Sequence, residues 1–444
     1  MARFFKLVKN EYIKVFKKLS TKIIIVLVIL CAFGLSGIAL IGKMTMSNNI
    51  YNDYDPKQDY QDNINWLNET KGTGYEQEVA MWQYLIDNDI DSDDWRYDVL
   101  MNAYSDESPT VEFYTIKEYL DNNDWKGYCQ HMLDTGNITE GEKWEYQYRI
   151  DNDISFDKSN EKKNDLIMTI ADAKSTIARM GDAKTDGENS RAALEDKITL
   201  AQYQLDNNKL DNTADQTSLF DTDSPDQITF WPIFLTGTSL VTVVALLVIV
   251  IAGGIVSSEF SQGTIKFLLI NPVKRWKILM AKYFTVITVG YIMLAILFVA
   301  LIPIIGVMHG FTGFSDSYMY VVDGKVKEMS TMVYAIESYL VSSIEMVVMS
   351  TLAFAISSLV RSTALATGVS VFAMCIGSTL TTLLANLGQD WARFLVFANT
   401  DLMTIKEGGS MFAQHSLTFA ICVLVAHMVV FILTAWDGFT KRSV

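Results

Sequence analysis

Apolar residues gather into six long runs: Ile23–Gly42, Phe230–Val256, Tyr283–Met308, Tyr339–Val360, Ala364–Leu387 and Leu417–Trp436. Each is close to or above the ~20 residues that a helix needs to cross a bilayer. The predicted fold class is therefore all-α: a polytopic membrane protein with six transmembrane helices. Ahead of the first run, residues 1–22 read as a basic amphipathic helix. Phe5, Val8, Tyr12, Val15, Phe16 and Leu19 share a stripe, with Lys6, Lys9, Lys14 and Lys17 elsewhere, the pattern of a helix lying at a membrane interface. A cleaved signal peptide is the competing reading. The first run is long for one, and its small-x-small match at Gly34-Leu35-Ser36 lies inside the run rather than after it.

The polar stretch between the first two runs, residues 43–229, reads as a large and mostly helical insert. A loose repeat occurs three times in it: Gln83-Tyr84-Leu85-Ile86-Asp87-Asn88, Gln147-Tyr148-Arg149-Ile150-Asp151-Asn152 and Gln202-Tyr203-Gln204-Leu205-Asp206-Asn207. Each copy predicts a helix end, because Asn tolerates the left-handed conformation that stops helices. Its spacing is too irregular for a solenoid. Asp182–Glu188 is expected to turn a helical hairpin, and Thr213–Asp226 to be a polar linker back to the membrane.

The second and third runs are joined by residues 257–282. A short helix is expected over Gly263–Ile270, with Ile265, Leu268 and Leu269 at helical spacing. Asn271-Pro272 ends it, since proline lacks the N–H and disfavours helix before it. Lys274-Arg275-Trp276-Lys277 opens a second basic helix start. The remaining connections are a loop at 309–338, a turn at 361–363, a loop at 388–416 and a tail at 437–444. Within 388–416, Trp391–Asn399 is apolar but too short to span, and reads as a re-entrant or interfacial helix.

Charge adds an orientation. The net charge is −15, yet residues 43–229 carry 40 acidic and 17 basic residues, while the rest of the chain carries 11 and 19. With the N-terminus inside, one set of short segments holds fifteen Lys/Arg and the opposite short loops hold four, Lys325, Lys327, Arg393 and Lys406. The positive-inside rule then makes both termini and the 257–282 loop cytoplasmic and the acidic insert extracellular. Cys31, Cys375 and Cys422 lie in apolar runs and Cys129 is alone in the insert, so no disulfide forms within the insert. No P-loop, nucleophile elbow or metal-ligand spacing occurs. No catalysis, cofactor, metal or nucleic-acid partner is therefore expected.

The central loop carries a more specific signal. Glu259-Phe260, Gly263-Thr264, Leu268-Leu269, Pro272, Arg275, Ile278-Leu279 and Lys282 together resemble the loop after the second span in permeases of the ABC-2 family of ABC transporters. Asn10-Glu11 with Lys14 resembles that family's elbow helix, and Leu395–Leu402 resembles its outer segment between spans five and six. Where the family often has Pro-Val-Ser-Arg, this chain has Pro-Val-Lys-Arg, with Lys274 adding a charge. The insert matches only loosely, as the long helical ectodomain of some Gram-positive members. The resemblance implies a permease in a bacterial plasma membrane, paired with a second permease of the same or a sister chain, each docking a separate cytosolic ATPase subunit. ATPase coupling would then fall to Glu259, Gly263, Thr264, Lys266, Leu268, Leu269, Pro272 and Arg275, with Glu11 and Lys14 in the elbow helix. The bland alternative is that the loop's charges merely obey the positive-inside bias.

Two carboxylates are candidates to line a cavity. Glu345 lies inside the fourth run and Glu337 just outside it. An acid at depth costs roughly 2.5–3.5 kcal/mol on insertion scales and faces protein or water. A protonated glutamate packed between helices is the alternative. His427 in the sixth run reads as a packed, hydrogen-bonded residue. Small residues such as Gly34, Gly37, Gly253, Gly254, Gly368 and Gly377 mark close helix contacts, within or between chains. The cargo of an exporter would be a peptide, antimicrobial or other amphiphile. A different class of function, a membrane sensor whose insert binds a ligand without transport, fits the same pattern.

Overall fold

The computed structural model describes residues 2–51, 56–71, 75–91, 94–104, 113–135, 138–180, 190–211, 228–264, 273–322, 324–406, 410–412 and 415–441. The chain is mostly helical and divides into two compact units: residues 1–46, 213–318 and 329–444 in one, 47–212 and 319–328 in the other. The predicted short helix at Gly263–Ile270, the turn at Asp182–Glu188 and the linker at Thr213–Asp226 lie largely or wholly outside the described residues.

Among the described residues, the first unit holds six helices long and apolar enough to cross a membrane: Leu19–Thr45, Phe230–Ser261, Arg275–His309, Thr331–Leu359, Thr363–Asn386 and Leu417–Thr440. The second and fourth are the most buried and form the centre. Val244, Val248, Ile249 and Ala252 of the second span share a core with Val289, Met293 and Leu297 of the third and with Met346, Met349 and Phe354 of the fourth.

The second span is not one smooth helix. It runs Phe230–Thr236, a 3-10 turn Gly237–Ser239, Leu240–Ile255 and Ser257–Ser261. At the first break, hydroxyls of Thr236, Thr238 and Ser239 donate to the carbonyls of Pro232, Leu235 and Thr236 at 2.7, 2.7 and 2.8 Å. Such local bonds compete with the helical ladder. Tyr339 of the fourth span presses here, donating to the Phe234 carbonyl at 2.9 Å. A Cβ at Gly237 would sit 2.4 Å from its hydroxyl oxygen, so a larger residue would force Tyr339 to shift. At the second break, Ser357 of the fourth span intrudes. Its Oγ accepts from the N–H groups of Val256 and Ser257 at 3.3 and 3.0 Å and donates to the Gly253 carbonyl at 2.7 Å. A side chain inserted into the backbone ladder is a standard cause of a kink. It marks the break before Ser257–Ser261, which carries Glu259.

Several predicted boundaries move. The third helix begins at Arg275, not Tyr283, and absorbs the basic helix start. Lys282 does not interrupt it, because that charge is buried and paired. The fourth begins at Thr331, so Glu337 lies within the helix rather than just outside it. In the N-terminal helix, Ala2–Lys17, the buried face is Val8, Glu11 and Val15, while Phe5 of the predicted stripe is exposed, as is Leu19, which opens the next helix. Trp391–Asn399 is not one helix but parts of two 3-10 turns, Asp390–Phe394 and Val396–Asn399. The glycines sort by environment. Gly253 meets Thr367 and Gly377 meets Phe397 within the chain, whereas Gly34, Gly37 and Gly368 face open space.

The chain is mostly helical, as expected of an all-α membrane protein, with one small addition. Residues 309–338 contain an antiparallel hairpin of β1 (Ser317–Val322) and β2 (Lys325–Ser330). Gly324 at its tip has φ +69°. The alternating Tyr-Met-Tyr-Val-Val and Lys-Val-Lys-Glu-Met around Asp323-Gly324 is a strong short-range hairpin signal.

The second unit is helical: Pro56–Trp66, Glu76–Asp87, Trp95–Tyr104, Phe113–Asp121, Trp125–Thr135, Glu140–Asn152, Glu161–Met180 and Arg191–Asp206. All three repeats end helices, through one shared geometry. Gln83, Gln147 and Gln202 donate to Asp87, Asp151 and Asp206 at 2.8, 2.9 and 2.8 Å. Asn88, Asn152 and Asn207 donate to the carbonyls of Tyr84, Tyr148 and Tyr203 at 2.9, 2.9 and 2.8 Å. The left-handed residue is the next one along, Asp89, Asp153 or Asn208, not the Asn itself. The following N–H then closes back on the helix, as in Ile90 to Leu85 at 3.0 Å, which is a Schellman stop. A fourth copy occurs at Lys117–Asp124. Lys117 pairs with Asp121 at 2.6 Å, Asn122 donates to the Glu118 carbonyl at 2.9 Å, and Asn123 is left-handed with φ 50°. Lysine in place of glutamine hid it from the sequence comparison; Asp-Asn-Asn shared with Asp206–Asn208 was the available signal.

The hairpin's distal part belongs to this unit. Glu328 accepts hydrogen bonds from Tyr203 Oη at 2.7 Å and Lys209 Nζ at 2.5 Å. These bonds, led by Lys209, hold the Glu328 carboxyl below its usual pKa range.

Candidate functional site

Three separate stretches of the chain meet in one cluster of charges. The N-terminal helix contributes Glu11 and Lys14, one turn apart. The kinked end of the second span contributes Glu259, and the third span contributes Lys282. Lys282 Nζ lies 2.9 Å from Glu11 Oε2 and 3.2 Å from Glu259 Oε1. Lys14 Nζ lies 3.0 Å from Glu259 Oε1 and 3.5 Å from Glu11 Oε1. Burial is graded: the side chains of Lys282, Glu11, Glu259 and Lys14 are 1, 9, 11 and 50 % exposed. Two cations and two carboxylates therefore balance, with the open side at Lys14.

Each member is where local structure puts it. Position 11 is on the buried face of the N-terminal helix between Val8 and Val15. Phe4 meets Phe284 edge-on, with ring centroids 6.5 Å apart, and seats this helix on the third span. Lys282 is on the buried face of that span with Leu279 and Val286. Burial alone would lower the pKa of Lys14, but the carboxylates of Glu11 and Glu259 outweigh it and hold the ammonium above its ordinary range.

Glu259 also anchors the start of the central loop. Its second carboxylate oxygen accepts a short hydrogen bond from Thr264 Oγ1, and its carbonyl oxygen accepts a longer one at 3.4 Å. Between them Gly263 takes φ +70°, which L side chains disfavour. The loop's far end is fixed as well. Arg275 Nη1 donates to the Thr440 carbonyl at 3.4 Å, and Trp276 stacks on Trp436 with centroids 6.1 Å apart. Both ends of the 257–282 segment are thus tied to neighbouring helices.

Of the residues singled out in the sequence, the structure unites Glu11, Lys14, Glu259, Gly263 and Thr264, and places Arg275 at the opposite end of the loop. Lys266, Leu268, Leu269 and Pro272 lie outside the described residues. Lys282, one of the residues that carry the resemblance but not among the expected coupling residues, is the centre of the cluster. Its signal was a lone lysine in an otherwise apolar stretch from Ile278 onward.

The two candidate cavity carboxylates are apart from this cluster and differ from each other. Glu337 pairs with Lys406 at 2.5 Å. Glu345 accepts a hydrogen bond from Thr242 of the second span at 2.9 Å. His427 bonds the Val423 carbonyl within its own helix at 2.9 Å, a packed role. His415, one of four widely spaced histidines, lies just before the sixth span. It meets Ser410 Oγ at 2.7 Å and the fully buried Asn399 Oδ1 at 2.9 Å, and Asn399 donates to the Arg393 and Leu395 carbonyls. The Leu395–Leu402 segment is held in shape by that network.

Six apolar spans around a common core define a multi-pass membrane protein. The chain belongs to the family described as Protein of unknown function (DUF2705), whose model matches residues 216–444. It is 31 % identical over 249 residues to the Uncharacterized protein YhcI of Bacillus subtilis (strain 168), covering 56 % of this chain and 75 % of that one. It is 36 % identical over 208 residues to the Uncharacterized membrane protein YdbK of the same organism, covering 46 % of this chain and 80 % of that one. No solved structure matches the chain.

Proposed function

We propose that the chain is the transmembrane permease subunit of an ATP-driven exporter of the ABC-2 type, working in a bacterial cell membrane with a second permease and separate cytosolic ATPase subunits. In this reading the termini and the 257–282 loop are cytoplasmic, the insert is extracellular, and the cargo is a peptide, antimicrobial or other amphiphile. The observation that carries the proposal is the buried Lys282 bridge between Glu11 and Glu259. A partner that pushes on the loop needs a stiff connection to the spans. Charges paired in a low-dielectric setting are strongly coupled, so displacement of Glu259 is passed to the N-terminal helix and the third span together. A flexible anchor would absorb the push.

The test is mild-detergent capture of the intact protein, with mass spectrometry of what accompanies it, repeated with Leu268→Asp. Recovery of a P-loop ATPase that the substitution abolishes is the expected result. Recovery of no ATPase from folded protein, or equal recovery with Leu268→Asp, overturns it.

A further inference from the structure

The helical insert has a groove of about 580 Å³, within the size range of small-molecule sites. Two helix faces form its walls. Glu140, Lys143, Trp144 and Gln147 recur at helical spacing along Glu140–Asn152, and Lys174, Ile177 and Ala178 do so along Glu161–Met180. The two helices approach closely at one point, where a Cβ on Gly141 would stand 1.9 Å from the Ala171 carbonyl oxygen. Leu133 and Ile198, from the flanking helices, add apolar lining. Trp144 is half-buried and stacked on Tyr148, with centroids 4.9 Å apart and planes at 21°. Lys174 Nζ lies 5.5 Å from the indole centroid, within cation–π range.

The charge of the groove runs against that of its surroundings. The insert carries 40 acidic and 17 basic residues, and Lys117, Lys126, Lys162 and Lys209 each pair with a carboxylate. At the groove the balance reverses, with Lys143 and Lys174 against Glu140. Neither lysine makes an ion pair among the described residues. Two ammonium groups beside an aromatic and aliphatic surface repel a cationic ligand and suit one with an apolar body and a single anionic head.

We propose that this groove binds an amphiphilic carboxylate, its apolar body against Trp144, Ile177 and Ile198 and its headgroup between Lys143 and Lys174. The proposal is independent of the transport reading. It rests on a groove within the insert, and a sensor or an exporter could equally use it.

The full chain in lipid nanodiscs is exposed to a photoreactive medium-chain carboxylic acid or to the matched primary amine, and labelled peptides are mapped by mass spectrometry. The acid is expected to label the Glu140–Asn152 and Glu161–Met180 helices. The amine should label them roughly tenfold less, about the worth of one charge-assisted hydrogen bond. Lys143→Gln with Lys174→Gln is expected to lower acid labelling by a similar factor, while Lys163→Gln, away from the groove, leaves it unchanged. Both groove substitutions are on partly exposed side chains, and circular dichroism checks that helicity is kept. Equal labelling by acid and amine, or wild-type labelling of the folded double variant, overturns the proposal.

Discussion

Lys282 and Lys209 both bind glutamates that are distant in sequence, yet they do opposite physical work. Lys282 is 1 % exposed and holds Glu11 and Glu259 inside the membrane unit. Lys209 is 43 % exposed and holds Glu328 at the surface of the insert. Removing one partner from a buried cluster leaves an uncompensated charge, which costs several kcal/mol. Exposed pairs compete with water and are worth little. The contrast teaches that the first cluster is part of the architecture, whereas the second can open and close at little cost.

The sharpest way to break this comparison is Lys282→Met. It should destabilise the protein by about 3–5 kcal/mol, because both carboxylates lose their buried cation, as read from unfolding in mixed detergent micelles. Adding Glu11→Gln and Glu259→Gln should recover much of the loss, since the stranded charges are then gone. No recovery would mean that Lys282 acts through packing rather than charge.

Gly263→Ala comes next. The site has open space around it, so the cost is in the backbone alone. About 1 kcal/mol is expected for alanine in a left-handed conformation, and less for Gly263→Asn, which tolerates it better. Thermal unfolding in nanodiscs ranks the two, and equal effects would remove the backbone explanation.

Glu328→Gln should have the smallest effect on global stability and a local one on the hairpin. Because the Glu328 carboxyl is lowered from 4.5 in the fold, its contribution is fully present above that value and is lost as pH falls through the lower folded one. Hydrogen exchange in 317–330, corrected for intrinsic rates, should therefore rise in the wild type below about pH 4.5. In Glu328→Gln it should be raised throughout, without that step. A wild-type hairpin that exchanges identically on both sides of the step would show that the clamp holds nothing.

Six helices of the length a membrane span requires were legible in the chain because hydropathy is a sum over many residues, and small errors average out. The three marked helix ends were legible because a Schellman stop is local: Gln-Tyr-x-x-Asp-Asn makes every bond it needs within eight residues. The hairpin was equally local at Asp323-Gly324 but lay in a loop with no apolar run to draw attention. The kinks of the second span could not be seen. They depend on Tyr339 and Ser357, about a hundred residues away. The burial of Glu11 rather than Phe5 was also hidden, because an amphipathic pattern says which residues are apolar, not which face meets protein.

By itself, then, the sequence determined the number of apolar spans, the acidic insert between the first two, the helix stops inside it and the residue types at the central loop. These follow from composition and from interactions within a turn or two. Only the tertiary structure decided that Glu11, Lys14, Glu259 and Lys282 form one charge cluster. Their separations run to 271 residues, and pairing over such distances is set by how helices pack rather than by any local preference of the chain. The same reason separates two lysines that look alike in sequence. Burial turns one into a keystone of the helix bundle, and exposure leaves the other a surface tie.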